Sequence, residues 1–118
     1  MTCHEVMAAL AAAGISVYYP AAKQEICREP YAVVQNGGTY RYASSDRVGY
    51  SLVTVHCYVP VGRYPLLDIL VGQVRTALSA LSPDLRPTGR ESVHVVNDRF
   101  RAHECAVEYM VQKKLGKD

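Results

Sequence analysis

Cysteine and histidine stand close together at three places in this chain: Cys3-His4, His56-Cys57, and His103 with Cys105. Both side chains ligate transition metals, and a thiolate oriented by an imidazole is a nucleophile. The spacings favour neither chemistry. A zinc motif repeats as C-x-x-C or H-x-x-x-H, and no such pattern occurs. His56 and Cys57 are consecutive in a β-prone run, so they point to opposite faces. His103 and Cys105 share a face and leave open a third ligand across a sheet; the plainer reading is a buried thiol and an imidazole at the rim. Cys57 and Cys105 fall on apolar strand faces, where thiols are inert. Glu104 and Glu108 sit on the polar face of the same strand, and no G-x-S-x-G elbow is present. The expectation is a chain with no catalytic residue, no metal and no cofactor.

Two other features invite a ligand. Asn36-Gly37-Gly38 follows the apolar run "REPYAVVQ". Phosphate loops space their glycines as G-x-x-x-x-G-K-[ST] or G-x-G-x-x-G ahead of a helix, whereas these are adjacent and lead into another β-prone run. They predict a tight hairpin turn. Seven arginines (Arg41, Arg47, Arg63, Arg86, Arg90, Arg99 and Arg101) fall in expected turns or at strand ends. Arginine on loops suits phosphate or carboxylate partners, and equally suits plain solvation.

The elements that must position these residues follow from periodicity. Residues 2–13 predict a helix with Thr2 as N-cap, Glu5 completing a capping box, Gly14 closing it, and a stripe of Val6, Leu10 and Ala13. "VMAALAAAG" lacks the positive flank of a secretory signal, so it reads as a helix, and the four scattered cysteines read as free thiols. "ISVYYP" is a short β-prone run, and "AAKQEICRE" has no period. Strands are expected at 31–36, over "TYRYAS", at 50–60 and at 91–98. "SSDRVG" reads as a turn, and "RFRAHECAVEYMVQKK" as the partner in a final hairpin around Asn97-Asp98. Val53, Val55, Cys57 and Val59 alternate with Thr54, His56 and Tyr58, as a half-buried strand requires. Residues 64–81 carry Leu67, Leu70, Val71, Val74, Leu78 and Leu81 at helical spacing, with Pro65 in the first turn and Pro83 and Pro87 beyond the end.

With 118 residues, 49% hydrophobic and 20% charged, the chain predicts one domain with a core over about 2–112 and a frayed tail at 113–118. The formal charge of +2 does not by itself indicate nucleic acid, and no run approaches 18 apolar residues, so no membrane partner is expected. Nine Tyr against one Phe and no Trp suits half-buried sheet faces and protein interfaces. The order helix, strands, helix, strands defines an α+β fold: a mainly antiparallel β-sheet with two α-helices packed on one face.

Taken in order, "LAAAGISVYY", "EPYAVVQNGGTYRYASSDRVGYSLVTVHCYVP", "YPLLDILVGQVRTAL" and "FRAHECAVEYMVQ" resemble the tail-completion and tail-terminator proteins of long-tailed bacteriophages. The matching positions are Pro30-Tyr31, Tyr40, Tyr42, Asp46, Val48, Tyr50 and the helix from Tyr64, and the resemblance spans about 6–112. The chain departs from the pattern in its single proline before Tyr31 and its cysteine-bearing "VHCYV". The resemblance implies a tail-terminator-like, non-catalytic virion protein made in the host cytoplasm. It would assemble as a homo-oligomeric ring, commonly a hexamer, at the head-proximal end of the tail. There it would stop the tail tube protein from polymerising and meet the head–tail connector protein. Tyr40, Tyr42, Asp46 and Tyr50 are then expected at subunit contacts, and Arg41, Arg47, Arg86 and Arg90 facing the lumen through which packaged DNA passes. The alternatives are a head–tail connector or another minor tail protein and, from a different class, a small metal- or ligand-binding α+β domain.

Overall fold

A computed structural model describes residues 3–22, 25–41, 48–82, 84–92 and 94–114. The elements run α1 (Cys3–Ala12), β1 (Val17–Tyr18), β2 (Tyr31–Arg41), β3 (Val48–Pro60), α2 (Pro65–Ser79), β4 (Leu85–Glu91), β5 (Val95–Asn97) and β6 (Ala102–Lys114). They form a sheet in the order β1-β2-β3-β6-β4, with β5 also paired to β6. Among the described residues only β1, against β2, is parallel. The fold is α+β, with both helices on one face.

The strand faces follow the alternation in the sequence. Cys57 lies opposite both Ala32 and Cys105, and Val55 opposite Val34 and Val107, so one face is apolar across three strands. Against it α1 sets Val6 and Leu10, and α2 sets Leu67, Leu70, Val71, Val74 and Leu78, all buried. Ala13, expected on this stripe, is exposed because the helix has already ended. Gly14, at φ +83°, closes α1 as a left-handed cap: its N–H donates to the Ala11 carbonyl, and the Ile15 N–H donates to that of Leu10. Thr2 and Pro83 lie outside the described residues. Pro65 occupies the first turn of α2, where a missing N–H costs nothing.

Two expectations are corrected. Asn36-Gly37-Gly38 is not a hairpin turn but a bulge inside one long strand. Asn36 faces Val53 and Thr39 faces Ser51, so β2 carries one residue more than its partner over this step. The glycines are needed there for reasons a turn would share. Gly38 has φ +96° and donates its N–H to Asn36 Oδ1 at 2.8 Å. A Cβ on Gly37 would stand 2.9 Å from Leu52 Cβ. Thr39–Arg41 therefore continue β2 instead of starting a new strand, and the β2–β3 connection falls at 42–47, outside the described residues.

Second, β4 runs over Leu85–Glu91, where no strand was expected, and Pro87 lies within it. As an edge strand it needs no N–H from Pro87 on its outer side, and its register shifts between Pro87 and Glu91. Of the strand expected over 91–98, only Val95–Asn97 is strand in its own right, and Glu91 closes β4. The hairpin itself holds: Asn97 Oδ1 accepts from the Phe100 N–H at 3.1 Å. At the C-terminal side β6 reaches Lys114, the end of the expected hairpin partner, and 115–118 lie outside the described residues.

The two strands of 13 residues, β3 and β6, pair along their whole length. At ~3.3 Å per residue each is about 43 Å long, which sets the long axis of a body measuring 51 × 26 × 24 Å. One end of that axis is the far end of β2–β3–β6, built from Thr39–Arg41, Val48–Tyr50 and Gln112–Lys114.

Candidate functional site

That far end holds the described part of the tyrosine-bearing hairpin. Tyr40 and Tyr50 are directly opposed across β2 and β3, and their rings stack with centroids 5.6 Å apart and planes 26° from parallel. Tyr40 is 47% exposed, and its hydroxyl donates to the Gly37 carbonyl at 3.1 Å, so the bulge fixes the ring's position. On the opposite face of the strands the Thr39 and Ser51 hydroxyls bond at 2.9 Å. The result is a stiff, solvent-facing aromatic pair with polar margins, a composition suited to protein contact. Tyr42, Asp46 and Arg47 lie outside the described residues.

Among the described residues, Arg41, Arg86 and Arg90 are not drawn into one patch. Arg86 and Arg90 share β4, while Arg41 ends β2, and β3 and β6 lie between those strands. Three inter-strand steps amount to roughly 14 Å. Arg86 faces Met110 across β4–β6. Arg90 borders a cleft of about 450 Å³ between α2 and β4, floored by Leu78, Leu85 and Tyr109. At its mouth Arg75 binds Glu91 at 2.8 Å, tying α2 to the edge strand.

The sheet face away from the helices is partly covered near its other end. The Cys27 N–H donates to the Phe100 carbonyl at 2.7 Å, which fastens the β1–β2 connection to the β5–β6 turn. Beneath it Tyr31 stacks on Tyr58 at 5.0 Å, and Tyr18 and Phe100 approach edge-on. Burial raises the pKa of Tyr31 to about 12; burial likewise raises that of Tyr58, and the Glu104 carboxylate pushes both the same way.

His56 lies on this face and bonds Gln35 Oε1 through Nε2 at 2.8 Å. Desolvation lowers its pKa from the ordinary 6.5, against an opposing pull from Glu104. The unfolded chain therefore takes up this proton first as pH falls. The stability tied to neutral His56 is whole above pH about 6.5 and is lost as pH drops toward and through the lower folded value. Between pH 7.5 and 5.5 the urea midpoint of the protein should fall more steeply than that of His56→Gln. Equal slopes would show that His56 is not the group responsible.

The thiols are poor nucleophiles in this setting. Cys57 is fully buried, and desolvation lifts its pKa to about 12. Cys105 is raised by the same cause and donates its S–H to the Ser92 carbonyl. Among the described residues no three His, Cys, Asp or Glu side chains converge as metal ligands, and no helix is long and apolar enough to cross a membrane.

No family model matches the chain, and no curated protein matches it. One similar solved structure, whose name states no function, is 18% identical over 93% of this chain and 86% of that chain, with a TM-score of 0.48. Likeness at that level carries no functional argument.

Proposed function

We propose that this protein is a structural subunit of a long-tailed phage, forming a ring at the head-proximal end of the tail tube, where it ends tube growth and meets the head connector. The observation that carries the reading is the far end of β2–β3, where a bulge and a stacked tyrosine pair hold an exposed aromatic surface at one tip of an elongated subunit. Ring contacts are heterologous, joining two different surfaces of one subunit. An aromatic tip at one end of the long axis and the rim of the α2–β4 cleft are two such different surfaces. A head–tail connector or another minor tail protein would use the same features against other neighbours.

The test is genetic and structural. Deleting the gene from its phage or prophage should give headless tails of uncontrolled length in electron micrographs, with complementation restoring uniform tails. Normal virions from the deletion would end this reading. The cleft favours a second one, a small domain that binds a largely apolar ligand on the floor of Leu78, Leu85 and Tyr109, with the charges of Arg75, Arg90, Glu91 and Glu108 around it. Tails unaffected by the deletion, together with a saturable ligand in the cleft, would favour it.

A further inference from the structure

At the end of the sheet opposite the tyrosine tip, two imidazoles meet. His94, just before β5 and exposed, places Nε2 2.7 Å from Nδ1 of the half-buried His103 on β6. The ring centroids are 4.8 Å apart with planes tilted by 39°. Tyr64, the residue that caps α2, stands edge-on to both rings, at 4.6 Å from His94 and 5.1 Å from His103. Three elements thus hold two nitrogen atoms pointed at one another.

At that distance one N–H fills the gap, donated by one ring to the lone pair of the other. A cation that accepts both lone pairs can take the proton's place. Imidazole nitrogen binds borderline divalent ions at about 2.0–2.1 Å, so two cis ligands need roughly 3 Å between nitrogens by the same bond lengths. The nitrogens are already within a few tenths of an ångström of that spacing, and the exposed His94 ring must also swing so that both lone pairs converge on the ion. The nearby Arg63 is turned to Glu29, 3.9 Å away, and Cys105 Sγ to the Ser92 carbonyl, so neither is directed at the pair. The chain then offers two ligands and leaves the other positions to water. Structural zinc takes four protein ligands. Copper(II) and nickel(II) accept tetragonal nitrogen and oxygen sets and stand higher in the divalent affinity order.

We propose that His94 Nε2 and His103 Nδ1 form a two-imidazole site for a divalent transition ion of the copper–nickel class. The ion joins the segment leading into β5 to β6. That segment is already tied to β6 through Ser92, whose N–H donates to the Ala106 carbonyl and whose hydroxyl accepts from the Ala106 N–H, each at 2.8 Å, so the two imidazoles sit on a fixed hairpin whose Val95 and Val96 side chains are exposed.

The probe is NiCl2, titrated calorimetrically into chelator-stripped protein carrying Cys3→Ser and His4→Gln, which removes the competing donors near the N-terminus. One ion per chain is expected, with affinity weakened more than about tenfold by either His94→Gln or His103→Gln and unchanged by His56→Gln. A second readout needs no variant at the site. Substoichiometric Cu2+ should broaden the NMR signals of His94, His103 and Tyr64 while sparing His56. No saturable binding up to millimolar nickel, affinity in either site variant equal to that of the parent, or broadening centred elsewhere would each overturn the proposal.

Discussion

Leu10→Ala is expected to lower the stability of the fold by about 3 kcal/mol, within the range for leucine-to-alanine changes that leave a cavity. For a chain of this size that corresponds to a fall in melting temperature of roughly 10 °C or more. Few buried side chains hold α1. Its buried residues are Val6 and Leu10, and Leu10 is 0% exposed. Through these the helix reaches α2, β1 and β2. The Leu10 carbonyl also accepts from Ile15 in the cap, and Ile15 is itself buried, so loss of the side chain loosens the turn that leads into β1. Alanine is the better helix former, so helix propensity cannot supply the loss and packing must. Leu10→Met, which conserves volume, should cost less than about 1.5 kcal/mol. Urea unfolding followed by circular dichroism measures both. A Leu10→Ala midpoint within error of the parent would mean that α1 is not part of the cooperative core.

Burial follows sequence pattern most closely where one face of an element is fully apolar. The alternation at 53–59 and 105–111 gave β3 and β6 their inner faces, and the leucine–valine stripe of 67–78 gave α2 its buried side. Local turn chemistry was less decisive. A positive-φ glycine after an asparagine serves a tight turn and a bulge equally well, and what makes 36–38 a bulge is β3 pairing on both sides of it. That is non-local information. β4 was hidden for a related reason: "LRPTGRE" has the composition of a loop, and only its position at an edge lets Pro87 and Gly89 stand in a strand. His94 and His103 are nine residues apart, outside any metal spacing motif. They meet because a hairpin turn folds β5 back on β6. In the candidate assembly site Tyr40 and Tyr50 were legible as hairpin residues, but their stacking depends on a register that the bulge shifts by one.

That register carries the remaining prediction. Under the ring reading, Tyr40→Ala combined with Tyr50→Ala should abolish assembly while leaving the monomer folded. An aromatic pair contributes about 0.5–1.5 kcal/mol beyond its burial, and Tyr40, at 47% exposed, has limited burial to lose. The monomer's urea midpoint should therefore drop only modestly. At an interface, aromatic anchors cost about 2 kcal/mol or more when truncated, and a ring meets that loss at every subunit contact. Tyr40→Phe is the matched control, because it keeps the stacked ring and removes only the hydroxyl bond to the Gly37 carbonyl. It should assemble nearly as the parent does. Complementation of the deleted phage gives the assembly readout in tail lengths, and denaturant unfolding gives the folding readout. Uniform tails from the double variant would show that this tip is not a subunit contact. Uncontrolled tails accompanied by an equally large loss of monomer stability would make the tyrosine pair a folding element instead, because the ring reading requires the two losses to separate.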